Sequence, residues 1–94
     1  MTMEEFTALP EHRQKEILVD ADKVDEITDD QTRYEFFGID NFFVEVKTSF
    51  LHKYRKIIHC YYSKDIPLSY SKKVFKYLKD KIGPAFTLII MSAA

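Results

Sequence analysis

Along residues 33–63 apolar and polar side chains alternate with a period of two, and aromatic and β-branched residues dominate. That period marks strands, because successive side chains on a pleated backbone point to opposite faces. Asp40 and Asn41 interrupt the first run with two short Asx residues, which tolerate the positive φ of a two-residue hairpin turn of the I′ type. A turn there pairs Ile39 with Phe42, Gly38 with Phe43, Phe37 with Val44 and Phe36 with Glu45. Phe37, Ile39, Phe42, Val44 and Val46 then share one face and form the expected core. Tyr34, Phe36, Phe43, Glu45 and Lys47 share the other. In a third run, 54–63, alternation sets Ile58, Cys60 and Tyr62 against Ile57, His59 and Tyr61. Both sides of that strand are half apolar, which predicts a central position or a second covered face. Between the second and third strands, Phe50 and Leu51 are poor choices for a solvated turn and are expected to tuck beneath a neighbour.

Flanking this block, the pattern changes to a helical period. Thr2 with Glu5 makes a capping box ahead of Phe6 and Leu9, and Pro10 suits the first turn of a helix over 10–24. Its apolar stripe is Ile17, Leu18, Ala21 and Val24. Residues 20–30 are strongly acidic and read as a solvated helix end and loop. A calcium loop starting at Asp20 fails, because Asp25 stands where glycine is required and Gln31 where a bidentate glutamate is required. After Ile66-Pro67, Ser69 or Ser71 can cap a second helix that runs to 82 and stops at Gly83-Pro84. Val74, Phe75, Leu78 and Ile82 form its predicted stripe, flanked by Tyr70 and Tyr77. Residues 86–91 are apolar enough for a short fourth strand, or for a packed coil. The sum is a single α+β domain over 1–94, a two-layer sandwich of order α-β-β-β-α with a short C-terminal strand as an option, both helices on one face of an antiparallel sheet.

Phe6 and Leu9 ahead of a helix with Leu18 and Ala21, then a hairpin whose turn and second strand read Asp40-Asn41-Phe42-Phe43-Val44-Glu45-Val46, resemble a group of small bacterial proteins of unknown function. The resemblance spans roughly residues 6–60 and implies no activity.

Composition narrows the chemistry. A chain of 94 residues buries only about 60–70% of its unfolded surface, so association is an expected supplement to its stability. Cys60 is the single cysteine and reads as a small buried hydrophobe. The acidic start lacks the basic and apolar regions of a signal peptide, and no apolar run reaches the roughly 18 residues of a membrane span. A cytoplasmic protein with no membrane partner is expected. His12, His52, His59 and Cys60 are scattered; His59 and Cys60, adjacent on a strand, point to opposite faces. With two glycines there is no phosphate loop, so the expectation is a non-enzymatic protein without metal or cofactor.

Charge is the most uneven feature. Residues 1–46 carry 13 acidic and 4 basic side chains (−9), residues 47–94 carry 2 and 10 (+8). Lys53, Arg55 and Lys56 beside Tyr54, and Lys72, Lys73, Lys76 and Lys79 on the second helix, interleave cations with aromatics as single-stranded nucleic-acid surfaces do. A solvated face on an amphipathic helix is the commonest explanation of such lysines, because exposed helix faces are charged anyway. The leading expectation is a binding or protein-interaction module that forms a homo-oligomer, a homodimer in the simplest case, through Tyr34, Phe36 and Phe43. Weak nucleic-acid binding by the basic half is second, and small-molecule binding or catalysis near His52 and His59 third.

Overall fold

The computed structural model describes residues 1–82, so residues 86–91 lie outside the described part. Two short helices, α1 (Met3–Thr7) and α2 (Glu11–Val19), precede a four-stranded sheet of β1 (Asp22–Thr28), β2 (Thr32–Ile39), β3 (Phe42–Ser49) and β4 (Tyr54–Tyr62). A 3-10 turn over Ser63–Asp65 leads to α3 (Leu68–Ile82). The strands follow chain order and every neighbour is antiparallel, which makes the fold α+β.

The hairpin adopts the register read from the alternation, with Phe37 opposite Val44 and Gly38 opposite Phe43. Asp40 alone of the turn pair takes a positive φ, 48°, where a I′ turn needs both. At the N-terminus the capping box forms: the Glu5 N–H donates to Thr2 Oγ1 at 3.1 Å and the Thr2 N–H to Glu5 Oε1 at 2.8 Å. Pro10 caps α2 in extended conformation, and Gln14 Nε2 donates to the Phe6 carbonyl at 2.9 Å, fastening α2 to α1.

Four expectations are corrected. The helix expected over 10–24 ends at Val19, and the acidic stretch beyond it is an edge strand rather than a loop. Its charges masked it, and charge is what a sheet edge tolerates. Val24 leaves the helix stripe and packs from β1 beneath α3. In β4 a bulge opposite Glu45/Val46 shifts the alternation, so Ile57 joins Cys60 on the first face.

Largest of the four is the position of the helices. α1 and α2 cover the first face, where Phe6 and Leu18 meet Phe37, Ile39, Phe42, Val44 and Val46. α3 covers the second, where Tyr70 and Val74 meet Phe36 and Phe43. The sheet is thus covered on both sides, not one. α3 turns Tyr70, Val74, Tyr77 and Leu78 inward, at spacings of four, seven and eight residues, and leaves Phe75 half exposed. Gly38 permits this approach: a Cβ there would lie 3.0 Å from the Tyr77 hydroxyl.

Both outer strands, β1 and β4, are bulged and charged, features that discourage edge-to-edge pairing. Val44 is fully buried in the first core. Val44→Asp is expected to remove more than about 4 kcal/mol of stability, enough to abolish a cooperative melt followed by circular dichroism.

Candidate functional site

The second face of the sheet divides into a covered and an open part. Under α3, Phe36 stacks on Tyr70 with centroids 4.2 Å apart and on Phe43 at 5.3 Å, and meets Tyr61 at 5.9 Å. Phe36 and Phe43 are buried, so with Tyr34 they cannot serve as the expected self-association face; the chain's own helix occupies it. Charge patterning could not show this, because Tyr70 and Tyr77 flank the stripe that the helical period predicts and only packing decides which side of α3 turns inward.

At the inner end of α3, Glu45 projects into this aromatic layer and is buried. It accepts hydrogen bonds from the Tyr70 hydroxyl at 2.5 Å and the Tyr61 hydroxyl at 3.1 Å. Its cross-strand neighbour His59 stacks on Tyr61 at 5.5 Å. Burial, together with the nearby carboxylate, pushes the Tyr61 phenol up to about 12 and raises Tyr70 strongly in the same sense. Two phenols that satisfy one carboxylate make a fastening for α3. No reacting group is left poised there. At the other end of the helix, the Tyr77 hydroxyl donates to Asp22 at 2.9 Å and accepts from Lys81 at 2.9 Å.

Beyond Tyr34 the aromatic layer gives way to a ladder of cations and rings. Tyr34 opposes Lys47, Lys47 opposes Lys56, and Tyr54, two residues before Lys56 on the same face of β4, opposes Ser49. Lys47 Nζ sits 6.0 Å from the centroids of both Tyr34 and Tyr54, and Lys56 Nζ lies 5.2 Å from Tyr54. Contact with the Tyr54 hydroxyl, then with Tyr34, raises the Lys47 pKa and keeps it charged. Tyr54 belongs to neither core, and Lys56 is exposed. Lys47 and Tyr54 were not singled out as a pair by spacing, since they stand on different strands; the cross-strand register is the signal that finds them.

The basic residues expected to contact an anion do not form one surface. Lys53 and Lys56 are exposed at this end of the sheet. Arg55 points to the opposite face, where its Nε lies 3.5 Å from Glu35 in a network with Lys23, Glu26 and Arg33. Lys72, Lys73, Lys76 and Lys79 are all exposed on α3, on the same side of the sheet as the ladder. The charge split along the sequence is therefore partly a split across the sheet: α3 carries five lysines and one aspartate, whereas α1 carries two glutamates and no base.

Chemistry at the histidines and cysteine stays unassembled among the described residues. His12 and His52 are exposed, and Cys60 is half-buried against the first core, where burial raises its thiol pKa. No three His, Cys, Asp or Glu side chains of the described residues group as metal ligands. A cleft of about 300 Å³ beside the β2–β3 turn gathers Asp20, Asp22, Asp40 and Lys81, but Asp40 is engaged by the Met1 amine and Asp22 by Tyr77. Neither His52 nor His59 lines it. Comparison of the chain with protein-family models, with curated proteins and with solved structures finds no match.

The Glu45 fastening has a direct alkaline signature. The unfolded chain ionises its phenols near the ordinary value of about 10, whereas the folded protein keeps Tyr61 protonated up to about 12 and Tyr70 beyond its ordinary value. The folded state thus holds more protons than the unfolded one above pH 10, and stability falls as pH rises through that window. Denaturant melts at stepped pH should show the decline beginning near pH 10 and flattening in Tyr70→Phe. At neutral pH that variant should lose about 1–3 kcal/mol, because a buried carboxylate loses a donor.

Proposed function

We propose that the protein is a non-enzymatic binding module whose ligand is a phosphate-bearing polyanion, engaged by the open part of the second sheet face. One observation carries the reading: Lys47 is shared between Tyr34 and Tyr54, with Lys56 over Tyr54, on a rigid sheet just past the region that α3 covers. Cations held by rings are already ordered, so binding an anion costs them little further side-chain entropy. Lys53 extends the cationic surface toward the β3–β4 turn, and the α3 lysines add a positive field on the same side. Self-association loses its main support with the burial of Phe36 and Phe43. Catalysis near His52 and His59 is not favoured, since His52 is exposed in a turn and His59 is exposed on β4 and stacked on Tyr61.

Retention on a polyphosphate resin tests this reading. The native protein should elute at a salt concentration that falls sharply in the double variant Lys47→Glu/Lys56→Glu, because each phosphate contact contributes about one unit to the salt slope. Lys72→Glu/Lys73→Glu should change stability by less than about 1 kcal/mol and weaken retention less than the ladder variant does. Equal elution of the native and ladder-variant proteins would refute the assignment.

A further inference from the structure

We propose that the β3–β4 turn is a membrane-docking tip, seated on the headgroups of an anionic bilayer with Phe50 and Leu51 inserted among the acyl chains. The proposal rests on the polyanion reading above and names the polyanion.

Phe50 and Leu51 were expected to tuck under a neighbour. Instead Leu51 is 65% exposed and Phe50 41% exposed, side by side at the extremity of the sheet. Exposed apolar residues are ordinary when scattered, but two adjacent ones at a turn tip, flanked by Arg33 and Lys53, fit a specific environment. His52 and Lys53 follow directly and are exposed; Lys56, Lys47 and Tyr54 lie immediately behind on the second face. Arg33 sits over the Phe50 ring at 5.4 Å from its centroid. An apolar wedge backed by lysines and a tyrosine matches the layered chemistry of an anionic membrane surface: acyl chains first, then the interfacial zone that tyrosine prefers, then phosphates.

The tip is also held rigid. The Phe50 N–H donates to the Gln31 carbonyl at 2.8 Å, and the His52 N–H to Ser49 Oγ at 3.0 Å, so the turn is braced against the β1–β2 connection and against its own strand. Lys53 takes a φ of 55°, which glycine or asparagine adopts more readily, yet a lysine stands there. Acidic residues are close by in the β1–β2 turn, where Asp29 spends its carboxylate accepting the backbone N–H groups of Gln31 and Thr32 at 2.8 Å; Asp30 is exposed. Those charges set the requirement that insertion, and not charge alone, supplies part of the affinity. A nucleic-acid strand fits the tip less well, because leucine offers no ring for stacking and the ladder's rings are already faced by lysine amines.

No helix of the described residues is long and apolar enough to cross a membrane, and docking by a turn requires none. The expected absence of a membrane partner rested on spanning segments alone.

The experiment is co-sedimentation of the full chain with vesicles of equimolar phosphatidylglycerol and phosphatidylcholine, beside vesicles of phosphatidylcholine alone. Binding to the anionic vesicles, weak or absent on the neutral ones, is the expected result. Leu51→Ser should lower the partition coefficient about tenfold or more, the equivalent of withdrawing one buried leucine side chain, with unchanged retention on the polyphosphate resin. Lys53→Glu should lower partition and flatten its dependence on anionic lipid. Failure to sediment with anionic vesicles while resin retention persists would overturn the docking proposal and leave the polyanion reading standing, as would tight binding of a single-stranded oligonucleotide without vesicle binding. Vesicle binding that Leu51→Ser does not weaken would overturn the insertion. Loss of both resin and vesicle binding in the native protein would sink the two readings together.

Discussion

A hairpin with apolar side chains on both faces has to be covered twice, and the architecture follows from that requirement. Phe37, Phe42, Val44 and Val46 on one side and Phe36 and Phe43 on the other leave neither face of β2–β3 for solvent at the end nearest their turn. α1 and α2 are too short to wrap the sheet, so α3 must close the second face. The stack of Phe36 on Tyr70 is the centre of that closure, and Glu45 fixes its position by accepting both Tyr70 and Tyr61. A buried carboxylate without those two donors would oppose the closure, so apolar packing and polar satisfaction depend on each other here.

Closure by α3 also separates packing from recognition. The helix consumes the aromatic residues nearest the β2–β3 turn and stops short of the Lys47 ladder, so one sheet face changes from core to surface along its length. Lysines within that ladder lie against tyrosine rings, whereas Lys72, Lys73, Lys76 and Lys79 on α3 are exposed. Residues of one charge and similar sequence spacing therefore differ in how much a ligand would gain from them. The opposite face ends differently, in a mixed network around Glu35 in which Arg55 and Lys23 meet carboxylates of their own chain.

Edge protection shapes the remainder. β1 carries most of its charge outward and β4 is bulged, features that discourage an open sheet edge from pairing with another. Among the described residues, Phe50, Leu51 and Lys53 project at the β3–β4 turn end of the sheet.

Local pattern by itself determined the β2–β3 register, the two-sided apolar character of the hairpin, the N-terminal capping box and the α+β class. Each depends on interactions between residues near in sequence, where a period of two or a three-residue spacing is decisive. Only tertiary structure decided which face each helix covers, because the side of α3 that carries Tyr70 and Tyr77 competes with the side that carries Phe75 for the inward position, and Gly38 opens the space that settles the contest. It also decided that the acidic segment is a strand. An edge strand draws its stability from the hydrogen bonds of its neighbour, and these leave no mark on its own hydrophobic pattern. The Lys47 ladder belongs to the same class: it joins residues from three strands, and only the register across β2, β3 and β4 brings them side by side.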